Sequence, residues 1–206
     1  MSKLALADGQ PYLGQTIAAM DESAREAGPG VYYVLSTVLI SAPAAVAQLA
    51  RAVIGERQRP FHYSQEGPET IERMLLLIEA EALIATCLWC SVGRKGQTDA
   101  RSILLQQQAR MCADIGVDHL IIESGDKATN QRDQSVLLDT FRGAGNAPFQ
   151  YDWRSKSEPL LWLADAVCAI ASESLLGHRM EYYERFEAAG LIEVIASDMR
   201  QPRLPS

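Results

Sequence analysis

One mixed α/β sheet of about five strands, with flanking helices and a helical insertion after the second strand, is the fold class the sequence predicts. Two strand-like stretches meet at AGPG (27–30), two amphipathic helical stretches follow in succession, and from residue 98 onward helices and strands alternate. The last pattern lets the later strands pair in parallel. No linker-like stretch divides the chain, so residues 1–200 read as a single domain and 201–206, QPRLPS, as a flexible tail.

The elements follow in order. GQTIAAMDES (14–23) is a short strand ending in acidic residues, and Gly28 and Gly30 make the turn around Pro29. VYYVLSTVLIS (31–41), β-branched and aromatic, completes an antiparallel hairpin. PAAVAQLARAVIGER (43–57) places apolar residues at 46, 49, 50, 53 and 54, a helical stripe with proline in its first turn. PETIERMLLLIEAEA (68–82) is a second amphipathic helix, and ALIATCLWCSV (82–92) a strand. After the loop GRKGQ (93–97), Thr98 and Asp99 are expected to cap a long helix that stops at Gly116. VDHLIIESGD (117–126) is a strand running into an acidic loop, QRDQSVLLDTFRGAG (131–145) a helix with a glycine stop, and APFQYDW (147–153) a short strand. PLLWLADAVCAIASESLLG (159–177) and MEYYERFEAAG (180–190) are the final helices.

Composition narrows the function. A chain of 206 residues, 48% hydrophobic and 22% charged, can build a sizeable core. The N-terminal stretch lacks the apolar core of a secretory signal, and the longest apolar run, residues 31–42, is closed by Pro43 before it could span a bilayer. Four cysteines without an export signal point to reduced thiols. The expectation is a cytoplasmic protein with no membrane association. A net charge of −7 without a block of basic residues argues against coating duplex DNA, though not against a small local groove for nucleic acid. The oligomeric state stays open, with a homodimer among the options.

Three acids have an apolar lead-in. Asp21 follows Ile17–Met20, Glu123 follows Leu120–Ile122, and Asp165 sits in LLWLADAVCAIA with Leu161, Trp162, Cys168 and Ala169 on its own helical face. The first two close strands, where open α/β sheets place their sites. A lone carboxylate among apolar side chains is costly unless something cationic compensates. Were the three to converge, their mutual repulsion would call for a divalent cation, and all-oxygen ligation suits Mg²⁺ or Mn²⁺. The plainer alternative is three ordinary acids, with Asp165 capped or paired with an arginine. His62, four residues before Glu66, can serve as a general acid or phosphate donor, or as a surface-loop histidine bracketed by Pro60 and Gly67-Pro68. Lys156 and Ser157 precede a helix where phosphate can bind, but read better as a solvated charge and a cap.

The ordered set MDES, RPFHYSQEGPET, HLIIES and SEPLLWLADAVCAI, spanning roughly residues 15–175, resembles a bacterial domain-of-unknown-function family, the one numbered thirty-eight hundred, related in fold to ribonuclease H. The resemblance implies a ribonuclease-H-like fold with a carboxylate metal site at Asp21, Glu123 and Asp165. Such enzymes usually draw a further acid from the helix between the third and fourth strands. Here that helix, 98–115, offers only Asp99 and Asp114 at its ends and Gln106–Gln108 in its middle. Glu66 is the substitute candidate and Glu22 a lesser one.

Two tempting motifs fail on spacing. Cys87 and Cys90 of CLWC lie inside a strand and therefore point to opposite faces, which suits neither a disulfide nor a shared metal. GRKGQTD (93–99) lacks the spacing of a phosphate-binding loop and reads as a basic turn. The leading expectation is a divalent-metal-dependent nuclease or phosphodiesterase acting on RNA or DNA. The alternative is a non-catalytic binding or regulatory protein with the same fold and a degenerate site.

Overall fold

A computed structural model describes residues 14–55, 59–145 and 147–198. The elements are β1 (Ile17–Ala27), β2 (Gly30–Ile40), α1 (Pro43–Ile54), α2 (Pro68–Ala80), β3 (Ala85–Val92), α3 (Gln97–Asp114), β4 (His119–Glu123), α4 (Lys127–Thr140), β5 (Gln150–Arg154), α5 (Pro159–Leu175), α6 (Met180–Ala188) and β6 (Ile192–Ala196). They form one sheet in the order β5-β4-β1-β2-β3-β6. β1, β2 and β3 pair antiparallel, while β4 with β1, β5 with β4 and β6 with β3 pair in parallel. The mixed sheet and the helical insertion after β2, formed by α1 and α2, are as the sequence predicts.

Helices cover both faces. Ile17 and Ala19 of β1 and Ile121 of β4 join α1, α2, α5 and α6 in one core. Ala18 and Met20 of β1 and Leu120 and Ile122 of β4 point the other way, into a second core with α3 and α4. Period-two alternation in strands buried on both sides accounts for their continuous apolar runs. Cys87 and Cys90 divide between the two cores as their spacing requires, and all four cysteines are free and buried. α5 buries every residue from Pro159 to Ser172, and its run of alanines lets it lie close over β1 and β2. Ser36 Oγ of β2 lies 3.0 Å from Ala164 O and 3.2 Å from Asp21 O, its one hydrogen shared between the two carbonyls, tying helix, β1 and β2 together.

Several boundaries differ from expectation, each for a local reason. A sixth strand, β6, follows α6: only five residues long and interrupted by Glu193, it carries a weak strand signal and gains its pairing from β3. β1 runs on to Ala27 because the hairpin register continues to the turn. α3 starts at Gln97 with Gly96 as its cap; Thr98 and Asp99 fall in the first turn, and neither side chain caps it. α4 begins at Lys127 because Asp126 Oδ1 accepts from the Thr129 amide at 2.7 Å, a cap hidden in the SGD loop. It ends at Thr140, before the glycines expected to stop it. The expected tail, 201–206, lies outside the described residues. No single helix among the described residues is long and apolar enough to cross a membrane.

Candidate functional site

β1 and β4 run in parallel with Met20 beside Ile122, and their pairing stops there. Asp21 and Glu123 come next in each strand, on the face that Ile17, Ala19 and Ile121 give to α5. At that point the two strands separate beneath α5, where Asp165 projects from two turns inside the helix. A cavity of about 370 Å³ opens there, lined by Asp21, Glu123, Asp165, His62, Lys156 and Arg101 among others. It lies where the parallel pairing of β1 and β4 ends, close to the usual position of a site in such sheets. β1 itself does not close at Asp21 as expected but runs on, paired with β2, to Ala27.

The three carboxylates converge on one cation. Lys156 Nζ donates to Asp21 Oδ2 at 2.7 Å, Glu123 Oε2 at 2.8 Å and Asp165 Oδ1 at 3.2 Å. An ammonium has three hydrogens, and all three are spent here. Lys156, read from sequence as a solvated charge, is instead a largely buried counter-ion at 16% side-chain exposure. The signal for it was faint: it stands nine residues before Asp165, in a turn that returns the chain to the helix start. That turn is fixed by Glu158 N donating to Ser155 O at 2.9 Å and by the Trp162 indole donating to Lys156 O at 2.6 Å.

Asp165 is 8% exposed and faces a cation, as its apolar neighbours demanded. Its Oδ2 accepts from the Tyr63 amide at 2.7 Å. His62, half-exposed, holds Nδ1 4.0 Å from the same oxygen and 3.1 Å from Ser64 Oγ. The loop between α1 and α2 thus delivers a backbone donor and a histidine to the site. It does not deliver Glu66. After the short helical turn Tyr63–Gln65 the chain swings away, and the Glu66 carboxylate lies buried against Arg59 Nη2 at 3.0 Å, outside the cavity lining.

Burial sets the proton preferences. It raises the Asp21 carboxyl well above the ordinary range, and the hydrogen bond with Glu123 adds to this, against the pull of Lys156. For Glu123 burial works upward too, but hydrogen bonds from Asp21 and Lys156 outweigh it and bring the group below its usual value. The two groups titrate together, with the proton favoured on Asp21 over Glu123. Burial alone disfavours the charged form of Lys156; the facing carboxylates more than offset this and hold it charged.

α3 contributes a cation where a further acid was sought. Buried Arg101 lines the cavity, makes hydrogen bonds of 2.9 and 2.7 Å to the two Asp133 oxygens from Nε and Nη2, and pairs through Nη1 with Glu22. Asp99 and Asp114 do not line the cavity, and Gln108 is structural, its amide bridging Leu35 O at 3.1 Å and Thr86 O at 2.9 Å. Of the two substitute acids, Glu22 reaches the cavity wall and Glu66 does not.

Among the described residues no three His, Cys, Asp or Glu side chains are arranged as a metal cage; the carboxylates stand instead at hydrogen-bond distances around Lys156. The donor set nonetheless fits a hard divalent ion. It consists only of carboxylate oxygens, from three rigid elements, already gathered about one positive charge.

No family model matches the chain, and no curated protein sequence matches it. A chain in the solved complex of PCNA with RNase HII from Archaeoglobus fulgidus aligns over 92% of this chain and 98% of its own length, with a TM-score of 0.51 and 14% identity. The likeness shows a ribonuclease-H-like fold. The resemblance drawn from sequence thus holds at the level of fold, without a family model to carry the numbered family.

Proposed function

We propose that the protein is a divalent-metal-dependent phosphodiesterase or nuclease acting on RNA or DNA. The observation that carries the proposal is the convergence of Asp21, Glu123 and Asp165 on a single cation where β1 and β4 part. The ribonuclease-H-like fold supports it, since the solved neighbour belongs to a complex containing RNase HII. Asp21, Glu123 and Asp165 would hold Mg²⁺ or Mn²⁺; Glu22 is engaged by Arg101 and Glu66 by Arg59, so neither adds a fourth carboxylate. The ion, when bound, supplies activation of a water and neutralisation of charge on a phosphodiester. The chain's own residues do the rest. The Tyr63 amide fixes the Asp165 carboxylate, and Asp133 and Glu22 hold the Arg101 guanidinium at the cavity wall, where it faces an anionic substrate. His62, beside Asp165 and open to solvent, is placed to exchange a proton with the leaving oxygen.

One observation favours the non-catalytic alternative: α3 offers the cavity Arg101 and no acid. The test is a titration of Mg²⁺ and Mn²⁺ into the wild type and Asp165→Asn by calorimetry, beside assays on labelled RNA, RNA–DNA hybrid and DNA. We expect metal binding by the wild type and a fall in turnover of about 10²-fold or more in Asp165→Asn, the scale set by losing one transition-state-stabilising group. Metal binding without hydrolysis of any substrate would select the non-catalytic reading. No metal binding would end both the metal site and the nuclease.

A further inference from the structure

We infer that Lys156 is a built-in competitor for the cation site: its ammonium occupies the three-carboxylate cage and must leave before a divalent ion binds. This deepens the proposed metal site and rests on it.

Two features of the structure carry the inference. Every ammonium hydrogen of Lys156 is directed at one of the three proposed ligands, at 2.7–3.2 Å, so ammonium and metal claim the same oxygens. A metal–oxygen distance for Mg²⁺ is about 2.0–2.1 Å, too short for the ammonium to remain between the carboxylates. The Lys156 backbone, by contrast, is pinned by the Trp162 indole and the Ser155–Glu158 turn. Displacement is therefore a rotation of a four-carbon side chain and asks nothing of the fold. Released, the ammonium remains tethered at the cavity, where the Lys156 side chain already forms part of the wall. It would then meet substrate phosphate as a point charge.

The consequence is a thresholded site. Competition for the same oxygens lowers the apparent metal affinity by the fraction of molecules whose cage is free of lysine. In return the metal-free protein does not carry three clustered carboxylates without a cation.

The experiment has two arms. Mn²⁺ and Mg²⁺ are titrated by calorimetry into the wild type and Lys156→Met, with melting temperatures followed in chelator and in metal. We expect Lys156→Met to bind about tenfold tighter or more, to melt lower than the wild type in chelator, and to recover in Mn²⁺. In the second arm wild-type protein is reductively methylated with and without Mg²⁺ and its four lysines are compared by mass spectrometry. We expect Lys156 to be protected in chelator and modified several-fold faster in Mg²⁺, with Lys95 and Lys127 unchanged. Equal affinity of the two proteins, or Lys156 labelling indifferent to metal, overturns the competitor while leaving the metal site standing. Failure of both proteins to bind either ion overturns the metal site itself. The labelling arm uses only wild-type protein, so a variant that fails to fold does not remove the test.

Discussion

Asp21 shows at the scale of one residue what the site costs the fold. Its carboxyl gives up a proton less readily in the folded chain than in the unfolded one, chiefly through burial. The unfolded state therefore ionises first, and stability in chelator falls as pH climbs from the ordinary carboxyl range through the raised value. Asp21→Asn removes that slope while its oxygen can still accept the Glu22 amide at 2.7 Å. Denaturant melts across pH should find the variant more stable by about 1 kcal/mol at neutral pH and equal to the wild type in acid. A wild type with no such slope would contradict the burial argument. Removing the Asp133 carboxylate should have the opposite effect on stability. That group is fully buried and clamps Arg101, so Asp133→Ala leaves a buried guanidinium short of partners and should cost about 3–5 kcal/mol. The three acids were legible in the sequence because each follows an apolar run. Lys156 was not, because a lysine in a surface-like turn carries no mark of where the turn points it. Glu66 misled because one turn of helix, Tyr63–Gln65, decides whether the side chain or a neighbouring amide faces Asp165.

At the scale of elements, α5 fixes the geometry. Its alanines let it approach β1 and β2 closely enough for Ser36 to reach Ala164 O. Ala164→Leu should wedge helix from sheet, costing about 1–3 kcal/mol by overpacking, and should weaken Mn²⁺ binding because Asp165 moves with the helix. An unchanged affinity beside the lost stability would detach the site from this contact. α5 and β2 were readable from composition, one apolar but for Asp165 over most of its length and one β-branched and aromatic. β6 was not, since a five-residue strand broken by a glutamate is made by its partner β3 rather than by its own propensity. The start of α4 escaped for the converse reason: its signal, Asp126, was present but sat among loop residues.

The whole molecule carries a net charge of −7, and the basic groups facing the cavity are few. On the proposed nuclease reading, affinity for nucleic acid should depend on the divalent ion and respond weakly to salt. Filter binding in Mg²⁺ should give a log–log salt slope of about −2 to −3, the signature of two or three phosphates, and no measurable binding in chelator at about 0.15 M salt. A slope of about −6 or steeper would reveal an extended basic track and overturn that picture. The mixed sheet was visible in the order of elements, and its ribonuclease-H-like layout was implied by the resemblance of the ordered motifs.

The parting of β1 and β4 at Met20 and Ile122 also dictates when the cage can exist during folding. The β1–β2 hairpin is local and can form early. The cage needs residues 21, 123, 156 and 165 together, so it closes only after a long-range parallel pairing and the docking of a late helix, the slow steps of such a topology. A nascent or partly folded chain has the hairpin and one of the acids, but no trap for a cation. Metal capture would thus report the completed molecule.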